Sequence, residues 1–337
     1  MRKNMKKLTV ATVIGAMTVT ALAPVSAQAK DKTLTVAIWD NGQKAGLQEI
    51  MDEFTKETGI KTELQVVEWS SYWTLLEAGA SGGDMPDVFW MHSNEAVRYM
   101  SNDILLDLTD KIADSDKLEM DKFPKDIKEM YQWDGKTYAV PKDIDTIAMW
   151  YNKDMFEENG WEIPTTWNEF ISLCETIEES GKHPLYFGFK DTWTTLAPWN
   201  ALAVGTCDSD LAYQVNSGNA TFSEAYEETA TKIKVLLNYA EDNPVAYGYN
   251  DACTAFARGE SAMYPIGSYA IPQIKSVNPD INIGSFTFPA NDKKEDNILN
   301  SGNDLMFCVM NDCDKKEAVY EVLDFLLEDD NVQTYLD

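Results

Sequence analysis

The sequence predicts an α/β fold built on a parallel sheet, and three observations support that class. Strand-like and helix-like segments alternate along the chain, helices begin at recognisable capping residues, and neither repeats nor a long flexible linker interrupt the alternation. A β-α-β-α-β order of this kind favours parallel strands joined by right-handed crossovers. The chain has 337 residues and is 44% hydrophobic, which provides apolar material for two domains or for one large one.

The segments near the start of the chain follow this order. Apolar runs predict strands, and apolar residues spaced i, i+3, i+4 and i+7 predict an amphipathic helix. The predicted elements are a strand over 34–39, a helix with Leu47, Ile50, Met51 and Phe54 on one face, a strand over 60–67, a helix over 72–80 and a strand over 87–91. In open parallel sheets, ligands bind beyond the carboxyl ends of the strands. Residues 39–41 and 90–94 fall at two such ends, so we expect them near a binding site.

Later helices begin at capping boxes, in which a polar side chain and an acid three residues on cap each other's backbone. Thr166 pairs with Glu169 before one apolar face, and Asp314 pairs with Glu317 before another. Cys174 lies on the first of these faces, so we interpret it as a small core residue. The five cysteines form no CxxC pair and no zinc-type spacing, and a disulfide between two of them stays open.

Residues 1–29 have the three parts of a secretory signal peptide. A basic stretch over 2–7 precedes an apolar run over 8–23, and the small-x-small triplet over 27–29 predicts cleavage before Lys30. An uncleaved membrane anchor is the alternative, but the apolar run falls short of the roughly 20 residues that a spanning helix needs. No cysteine for lipid attachment follows the run. We therefore predict an exported protein, either periplasmic or extracellular and at the cell surface.

Charge and motifs argue against nucleic-acid binding, binding to anionic membranes and catalysis. With 28 Lys plus Arg against 56 Asp plus Glu, the formal net charge is −28, so nucleic acid and anionic lipid would repel the chain. GxSxG, GxxxxGK[ST], HExxH and GxGxxG motifs are absent, and only two histidines occur. We predict no catalytic residue, no metal site and no cofactor, and hence no enzyme. A glycosidase is the alternative, since its two carboxylates would leave no local signature among so many acids.

Aromatic residues beside polar ones favour a carbohydrate site. The chain has ten Trp and fifteen Tyr, and several aromatic residues lie at predicted loop starts, namely Trp39, Trp90, Trp193, Trp199 and Tyr269. Sugars present apolar CH faces and polar rims, so a site for them combines flat aromatic platforms with polar side chains. A single Trp is more often a core residue, but Trp39 and Trp90 each close a predicted strand and adjoin polar residues.

Eight sequence stretches and a closing helix follow one another in an order and spacing that match a known family. They are LTVAIW over 34–39, GDMPDVFW over 83–90, LLDLTD over 105–110, GKTYAVP over 135–141, MWYNK over 149–153, PTTWNEF over 164–170, FARGESAM over 256–263 and GSFTFP over 284–289, with the helix over 318–327. In these stretches the chain resembles the extracellular solute-binding proteins of carbohydrate ABC importers (family 1, the group that includes the maltose-binding protein).

The resemblance implies a two-lobed periplasmic-binding-protein fold (class II-like), in which strands cross between the lobes and the lobes close on a ligand. It places 30–142 and 265–312 in lobe 1, and 143–264 and 313–337 in lobe 2. The crossings expected from it are 138–146, 262–267 and 303–310. Because the family usually continues with further helices of the second lobe, the resemblance also implies a C-terminally truncated sequence.

The resemblance further implies which residues bind the ligand. At matching positions these are Trp39, Asp40, Gln43, Lys44, Trp90, Ser93, Asn94, Asp145, Trp193, Trp199, Tyr269, Gly302 and Asn303. On this basis we expect a monomer that binds a mono- or oligosaccharide and delivers it to the transmembrane subunits of an ABC permease. A polyamine receptor on the same scaffold and an adhesin that binds no soluble ligand are the alternatives.

Overall fold

The structure is a computed structural model that describes residues 33–83, 85–118 and 120–336. The signal peptide predicted over 1–29 lies outside these residues. The strands are β1 (Leu34–Ile38), β2 (Thr62–Val66), β3 (Val88–His92), β4 (Gln132–Trp133), β5 (Lys136–Thr137), β6 (Ala139–Pro141), β7 (Ile144–Asn152), β8 (Met263–Gly267), β9 (Ile283–Phe286), β10 (Asn300–Asn303) and β11 (Leu305–Val309).

Helices occupy much of the chain between the strands. They are α1 (Lys44–Thr58), α2 (Trp69–Gly82), α3 (Ser93–Met100), α4 (Thr109–Asp114), α5 (Lys125–Glu129), α6 (Lys153–Asn159), α7 (Trp167–Glu179), α8 (Leu196–Thr206), α9 (Leu211–Asn216), α10 (Phe222–Ala225), α11 (Glu227–Leu236), α12 (Tyr249–Ala257), α13 (Ala270–Val277), α14 (Lys316–Leu326) and α15 (Asp329–Leu336). Within the described ranges, none of these helices combines the length and the apolarity that crossing a membrane requires.

A five-stranded sheet in the order β2-β1-β3-β11-β6 organises what we call the first lobe. β1 pairs in parallel with β2 and β3, as predicted, while β11 runs antiparallel to β3 and β6. Leu47, Ile50, Met51 and Phe54 of α1 are buried in the core of this lobe, which confirms the predicted amphipathic helix. Gly59 ends α1 at φ 75°, a left-handed conformation that glycine adopts without steric cost.

An antiparallel sheet organises the second lobe, and its central strand β7 pairs with β8, β9 and β10. The predicted capping box of α7 is present: the Glu169 amide donates to Thr166 Oγ1 at 3.3 Å, and the Thr166 amide donates to Glu169 Oε2 at 3.2 Å. Cys174 of α7 is fully buried, which confirms it as a core residue. All five cysteines are free thiols.

The chain crosses between the two sheets at two neighbouring places. β6 leads through Lys142 and Asp143 into β7, and β10 leads through Asp304 into β11. The Lys142 amide donates to the carbonyl of Leu305 at 2.9 Å, and the Leu305 amide donates to Asp143 Oδ1 at 3.1 Å. These two hydrogen bonds join the crossings side by side.

The observed division between the lobes differs from the predicted one. The crossings expected at 138–146 and 303–310 coincide with the observed ones, but the crossing expected at 262–267 is wrong, because β8 lies wholly in the second sheet. Residues 265–303 were expected in the first lobe, yet they contribute β9, β10 and most of β8 to the second sheet.

The closing helices also differ from expectation, since α14 packs in the first lobe rather than the second. Its apolar face joins the core around β1, and the ring of Phe325 lies 5.3 Å from the ring of Phe54 on α1. The capping box predicted at Asp314 does not form, because Lys315 takes the N-cap position without a side-chain cap. Lys315 Nζ instead donates to Asp87 Oδ2 at 2.8 Å, just before β3.

Candidate functional site

A groove of about 1000 Å³ lies between the two lobes, at the crossings. The first lobe lines it with residues that follow β1, β2 and β3, which is where open parallel sheets bind ligands. Residues from both lobes contribute, within 39–43, 66–70, 92–94, 145–147, 190–200, 249–250, 269–273 and 300–305.

The first lobe presents a cluster of aromatic rings to the groove. Trp39 directly follows β1, and its ring meets that of Trp69, at the start of α2, edge to face at 5.1 Å between centroids. His92, the last residue of β3, lies 4.8 Å from Trp39 and 5.4 Å from Trp69. Each of the three rings packs against the other two, so the protein itself orients this wall.

The second lobe presents a similar cluster on the opposite side. Trp193, in a 3₁₀ turn over Thr192–Thr195, lies 5.1 Å from Tyr249 and 6.0 Å from Tyr269 between ring centroids. The two walls approach each other where Trp69 and Trp193 lie 6.2 Å apart. Flat apolar faces from both lobes therefore border one groove.

Asp40 and Gln43 form a polar corner of the groove next to Trp39. Asp40 Oδ1 accepts from the Gly42 amide at 2.7 Å, and its Oδ2 accepts from Gln43 Nε2 at 3.1 Å. Burial raises the pKa of Asp40, although the hydrogen bonds from Gly42 and Gln43 and the charge of Lys142 oppose that shift.

Asp145, at the start of β7, lies beside Tyr269. Its Oδ1 accepts a hydrogen bond from Ser268 Oγ, and burial raises its pKa despite that bond. Gly267 makes room for both side chains, since a Cβ at that position would lie 2.4 Å from Asp145 Oδ2 and 2.1 Å from Tyr269 Cε1. The close approach of these two side chains therefore requires a glycine at this position.

Asp304 occupies the second crossing and faces His92. The imidazole Nδ1 lies 3.0 Å from the backbone carbonyl oxygen of Asp304 and 3.4 Å from its Oδ1. Burial, together with the nearby carboxylates of Asp143 and Asp145, raises the pKa of Asp304 well above its usual range. Burial lowers the pKa of His92, so its ring is neutral near pH 7 and does not balance that carboxyl.

Lys142 places an ammonium group behind the groove. Its side chain is 6% exposed, and Nζ lies 2.5 Å from Asp143 Oδ2 and 3.0 Å from Gln43 Oε1. The same Nζ lies 4.9 Å from the centroid of the Trp90 ring and 4.5 Å from that of the Tyr335 ring. Two cation–π contacts and one ion pair hold this charge in place.

Most of the residues predicted to bind ligand come together in this groove. Those that line it are Trp39, Asp40, Gln43, Asn94, Asp145, Trp193, Tyr269, Gly302 and Asn303.

Four predicted residues lie elsewhere. Trp90 is fully buried in the core of the first lobe, because β3 continues past it to His92. Trp199 packs against Phe222 and Tyr226 rather than facing the groove, which the next residue on α8 lines instead.

Lys44 and Ser93 are the other two. Lys44, the first residue of α1, is exposed and borders a separate depression along that helix. Ser93 begins α3 and does not line the groove, whereas Asn94 does. Successive helical residues point about 100° apart, so only one of such a pair faces a given surface.

Several groove residues were not predicted. Glu68 and Trp69 come shortly after β2, just before and at the start of α2, so the rule that ligands bind at strand ends could have identified them. Tyr249 begins α12, and Asp304 lies at a crossing whose position only the pairing of β10 and β11 reveals. No group of three or more His, Cys, Asp or Glu among the described residues is arranged to hold a metal ion.

Comparison with known proteins agrees with this architecture. The family described as bacterial extracellular solute-binding protein matches residues 39–333. The Multiple sugar-binding protein of Streptococcus mutans is 25% identical over 290 residues, covering 82% of this chain and 67% of that protein. An uncharacterized ABC transporter extracellular-binding protein of Pyrococcus horikoshii is 25% identical over 226 residues, covering 64% of this chain and 50% of that protein.

Two solved structures illustrate the fold. The solute-binding protein RafE in complex with raffinose has a TM-score of 0.73 at 24% identity and covers 90% of this chain and 80% of RafE. The bacterial solute receptor AcbH, described as exclusive for β-D-galactopyranose, has a TM-score of 0.80 at 19% identity and covers 91% of this chain and 79% of AcbH. At these identities the likeness establishes the fold alone, and it confirms the predicted two-lobed α/β class.

Proposed function

The chain belongs to the bacterial extracellular solute-binding protein family, and we propose that it is the receptor of an ABC importer that binds a mono- or oligosaccharide between its lobes. The family consists of binding proteins rather than enzymes, in agreement with the predicted lack of catalysis. The receptor acts outside the cytoplasm as a monomer and delivers its ligand to the transmembrane subunits of a permease.

The pair of aromatic walls carries this proposal. Trp39 and Trp69 face the groove from one lobe, and Trp193, Tyr249 and Tyr269 face it from the other. Aromatic rings contact the apolar faces of sugar rings, while carboxylates and amides at the base of the groove accept and donate hydrogen bonds to hydroxyls. A volume of about 1000 Å³ lies at the upper end of small-molecule sites and accommodates more than one sugar ring.

Ligand capture follows from the position of the crossings. The lobes are joined only through Lys142–Asp143 and Asp304 along the described backbone, so bending there changes the separation of the two walls. A sugar that contacts both walls binds the closed arrangement more tightly and shifts the population toward it. The permease then recognises the closed form.

A thermal-shift panel tests the function. The purified chain is heated with neutral disaccharides and trisaccharides, chitin and xylan oligosaccharides, and spermidine. A saccharide that binds only the folded state stabilises it by about 2.7 kcal/mol at 100 times its Kd, and we expect at least one to raise Tm in a dose-dependent way.

The same panel separates the alternatives. Stabilisation by spermidine but by no saccharide would replace the sugar receptor with a polyamine receptor. Chromatography of the sugars after incubation should return them intact, and shortened products would instead demonstrate a glycosidase. No stabilisation by any soluble compound would favour the adhesin.

A further inference from the structure

We propose that the base of the groove recognises a protonated amine, so that the preferred ligand is an amine-bearing saccharide. This inference rests on the proposed function and specifies its ligand class. It follows from the charges that line the groove and from which of them already have partners.

Acidic groups far outnumber basic ones among the described side chains that line the groove. Five carboxylates contribute, namely Asp40, Glu68, Asp145, Asp191 and Asp304, against the single ammonium of Lys190. Lys190 is exposed, so water screens its charge. An anionic sugar such as a uronate would therefore meet repulsion, whereas a cation would be attracted.

Four of these carboxylates already accept hydrogen bonds from the protein. Asp40 accepts from the Gly42 amide at 2.7 Å, Glu68 caps α2 by accepting from the Ser70 amide at 3.1 Å, and Asp191 accepts from the Tyr249 amide at 2.7 Å. Asp145 accepts from Ser268 Oγ. These hydrogen bonds hold loops in place and leave less capacity for a ligand.

Asp304 differs, because the described residues offer its carboxyl no donor at ordinary hydrogen-bond distance. The nearest charged or titratable nitrogen is Nδ1 of the neutral His92, at 3.4 Å, and the Asp304 side chain is only 18% exposed. Asp143, at the adjoining crossing, already has Lys142 as its partner. Asp304 lines the groove, and within 4 Å the described residues offer its carboxyl no charged partner, so an incoming ammonium group could pair with it directly.

The protein itself shows how an ammonium group is held in this region. Lys142 Nζ combines a carboxylate, that of Asp143, with the faces of Trp90 and Tyr335. On the groove side Asp145 lies against the Tyr269 ring, with both packed over Gly267. The groove thus repeats the combination of a carboxylate and an aromatic face.

The aromatic walls specify a sugar rather than a simple amine. Rings from both lobes provide flat apolar surface that matches the faces of pyranose rings. A neutral hydroxyl can hydrogen-bond to Asp304 but does not favour the ionised form of a carboxyl whose pKa burial raises, whereas an ammonium group does. An amino sugar supplies both the ring face and the charge.

Calorimetry with matched ligands tests this inference. The chain is titrated at low ionic strength with a glucosamine trisaccharide, its N-acetylated counterpart and a trigalacturonate, at a pH where the amine is protonated. We expect the amine form to bind at least about tenfold more tightly than the acetylated form, because only the amine form makes a charge-assisted hydrogen bond. We expect the uronate not to bind. The preference should shrink in high salt.

Two variants locate the effect. Asp304→Asn should lower the ratio of the affinity for the amine form to that for the acetylated form by about tenfold. Asp145→Asn provides the same test if the first variant folds poorly. Glu178→Gln changes an exposed acid of α7 outside the groove and removes the same charge, so it should leave the ratio unchanged and separates local recognition from overall acidity.

The outcomes are distinct. Equal or weaker binding of the amine form, or a ratio that survives both groove variants, overturns the inference but leaves a neutral-sugar receptor standing. Binding of no saccharide in this titration or in the thermal-shift panel overturns the proposed function as well. Tight binding of spermidine in place of the amino sugar also overturns both.

Discussion

Trp69 of the first lobe and Trp193 of the second lie with ring centroids 6.2 Å apart, at an interplanar angle of 47°. They belong to segments that are more than a hundred residues apart in sequence and to different sheets. Their proximity means that the two walls of the groove are near enough to contact one ligand together. The predictions below start from this arrangement.

Replacing Trp193 tests the aromatic wall of the second lobe. Trp193→Ala removes the ring that contacts both Tyr249 and Tyr269, and we expect saccharide affinity to fall by about tenfold or more, since aromatic contact contributes about 1 kcal/mol beyond its burial. Isothermal calorimetry measures the change. Trp199→Ala is the matched control, because Trp199 packs on Phe222 outside the groove; an equal loss in both variants would contradict the site.

Replacing Trp90 tests its position in the core. Trp90→Ala leaves a cavity in the first lobe and removes a ring beneath Lys142, so we expect a loss of about 3–5 kcal/mol in the free energy of unfolding. Trp90→Phe should lose less because it retains an aromatic ring. Urea titration measures both, and unchanged stability with lost binding would return Trp90 to the ligand site.

Gly267 gives a steric test with an internal control. A methyl group at this position would meet Tyr269 Cε1 at 2.1 Å, so Gly267→Ala should displace that ring or the Asp145 carboxylate and destabilise the chain by about 1–3 kcal/mol. Gly302→Ala adds the same methyl group where nothing lies within 4 Å, and its stability should be unchanged. Similar melting temperatures for both variants would contradict the close packing at Gly267.

Asp304 gives a prediction about pH. Its pKa is higher in the folded chain than in the unfolded chain, so the folded state binds that proton more tightly. The free energy of unfolding therefore falls as pH rises from about 4, the ordinary value for an aspartate, through the folded-state pKa. Each pKa unit of difference between the folded and unfolded chains corresponds to about 1.4 kcal/mol in the free energy of unfolding.

Asp304→Asn removes this contribution. We expect the variant to be more stable than the parent at pH 7 and the difference to shrink toward pH 4, as measured by urea midpoints across that range. Asp40 and Asp145 have pKa values raised in the same direction and still titrate, so the variant keeps part of the slope. If the free energy of unfolding depended on pH in the same way in both proteins, the pKa of Asp304 would not be raised by folding.

Sequence patterns located some groove residues and misplaced others, because the end of a strand decides which residue reaches the groove. Trp39 and Trp90 are both aromatic, lie near the end of an apolar run and adjoin polar residues. Trp39 follows the last residue of β1 and reaches the groove, whereas β3 runs two residues beyond Trp90 and keeps it inside. Periodicity identifies a strand but fixes its end only to within a few residues.

The lobe boundaries were misjudged because pairing between distant strands decides them. The sequence of β11 is uniformly apolar, as expected for any buried strand, and nothing local indicates that it pairs with β3. The same holds for α14, whose apolar face could cover either sheet but packs beside α1. Local elements such as α1 and the capping box of α7, which depend on neighbouring residues alone, were predicted correctly.

The two hydrogen bonds between the crossings restrict how the groove can widen. Lys142, Asp143 and Leu305 tie two short backbone segments into one narrow strip. In the proposed closure this strip would serve as the axis, because rotation about it can preserve both hydrogen bonds, whereas sliding one segment past the other would break them. The mouth of the groove would then travel further than the innermost residues, which lie next to the strip.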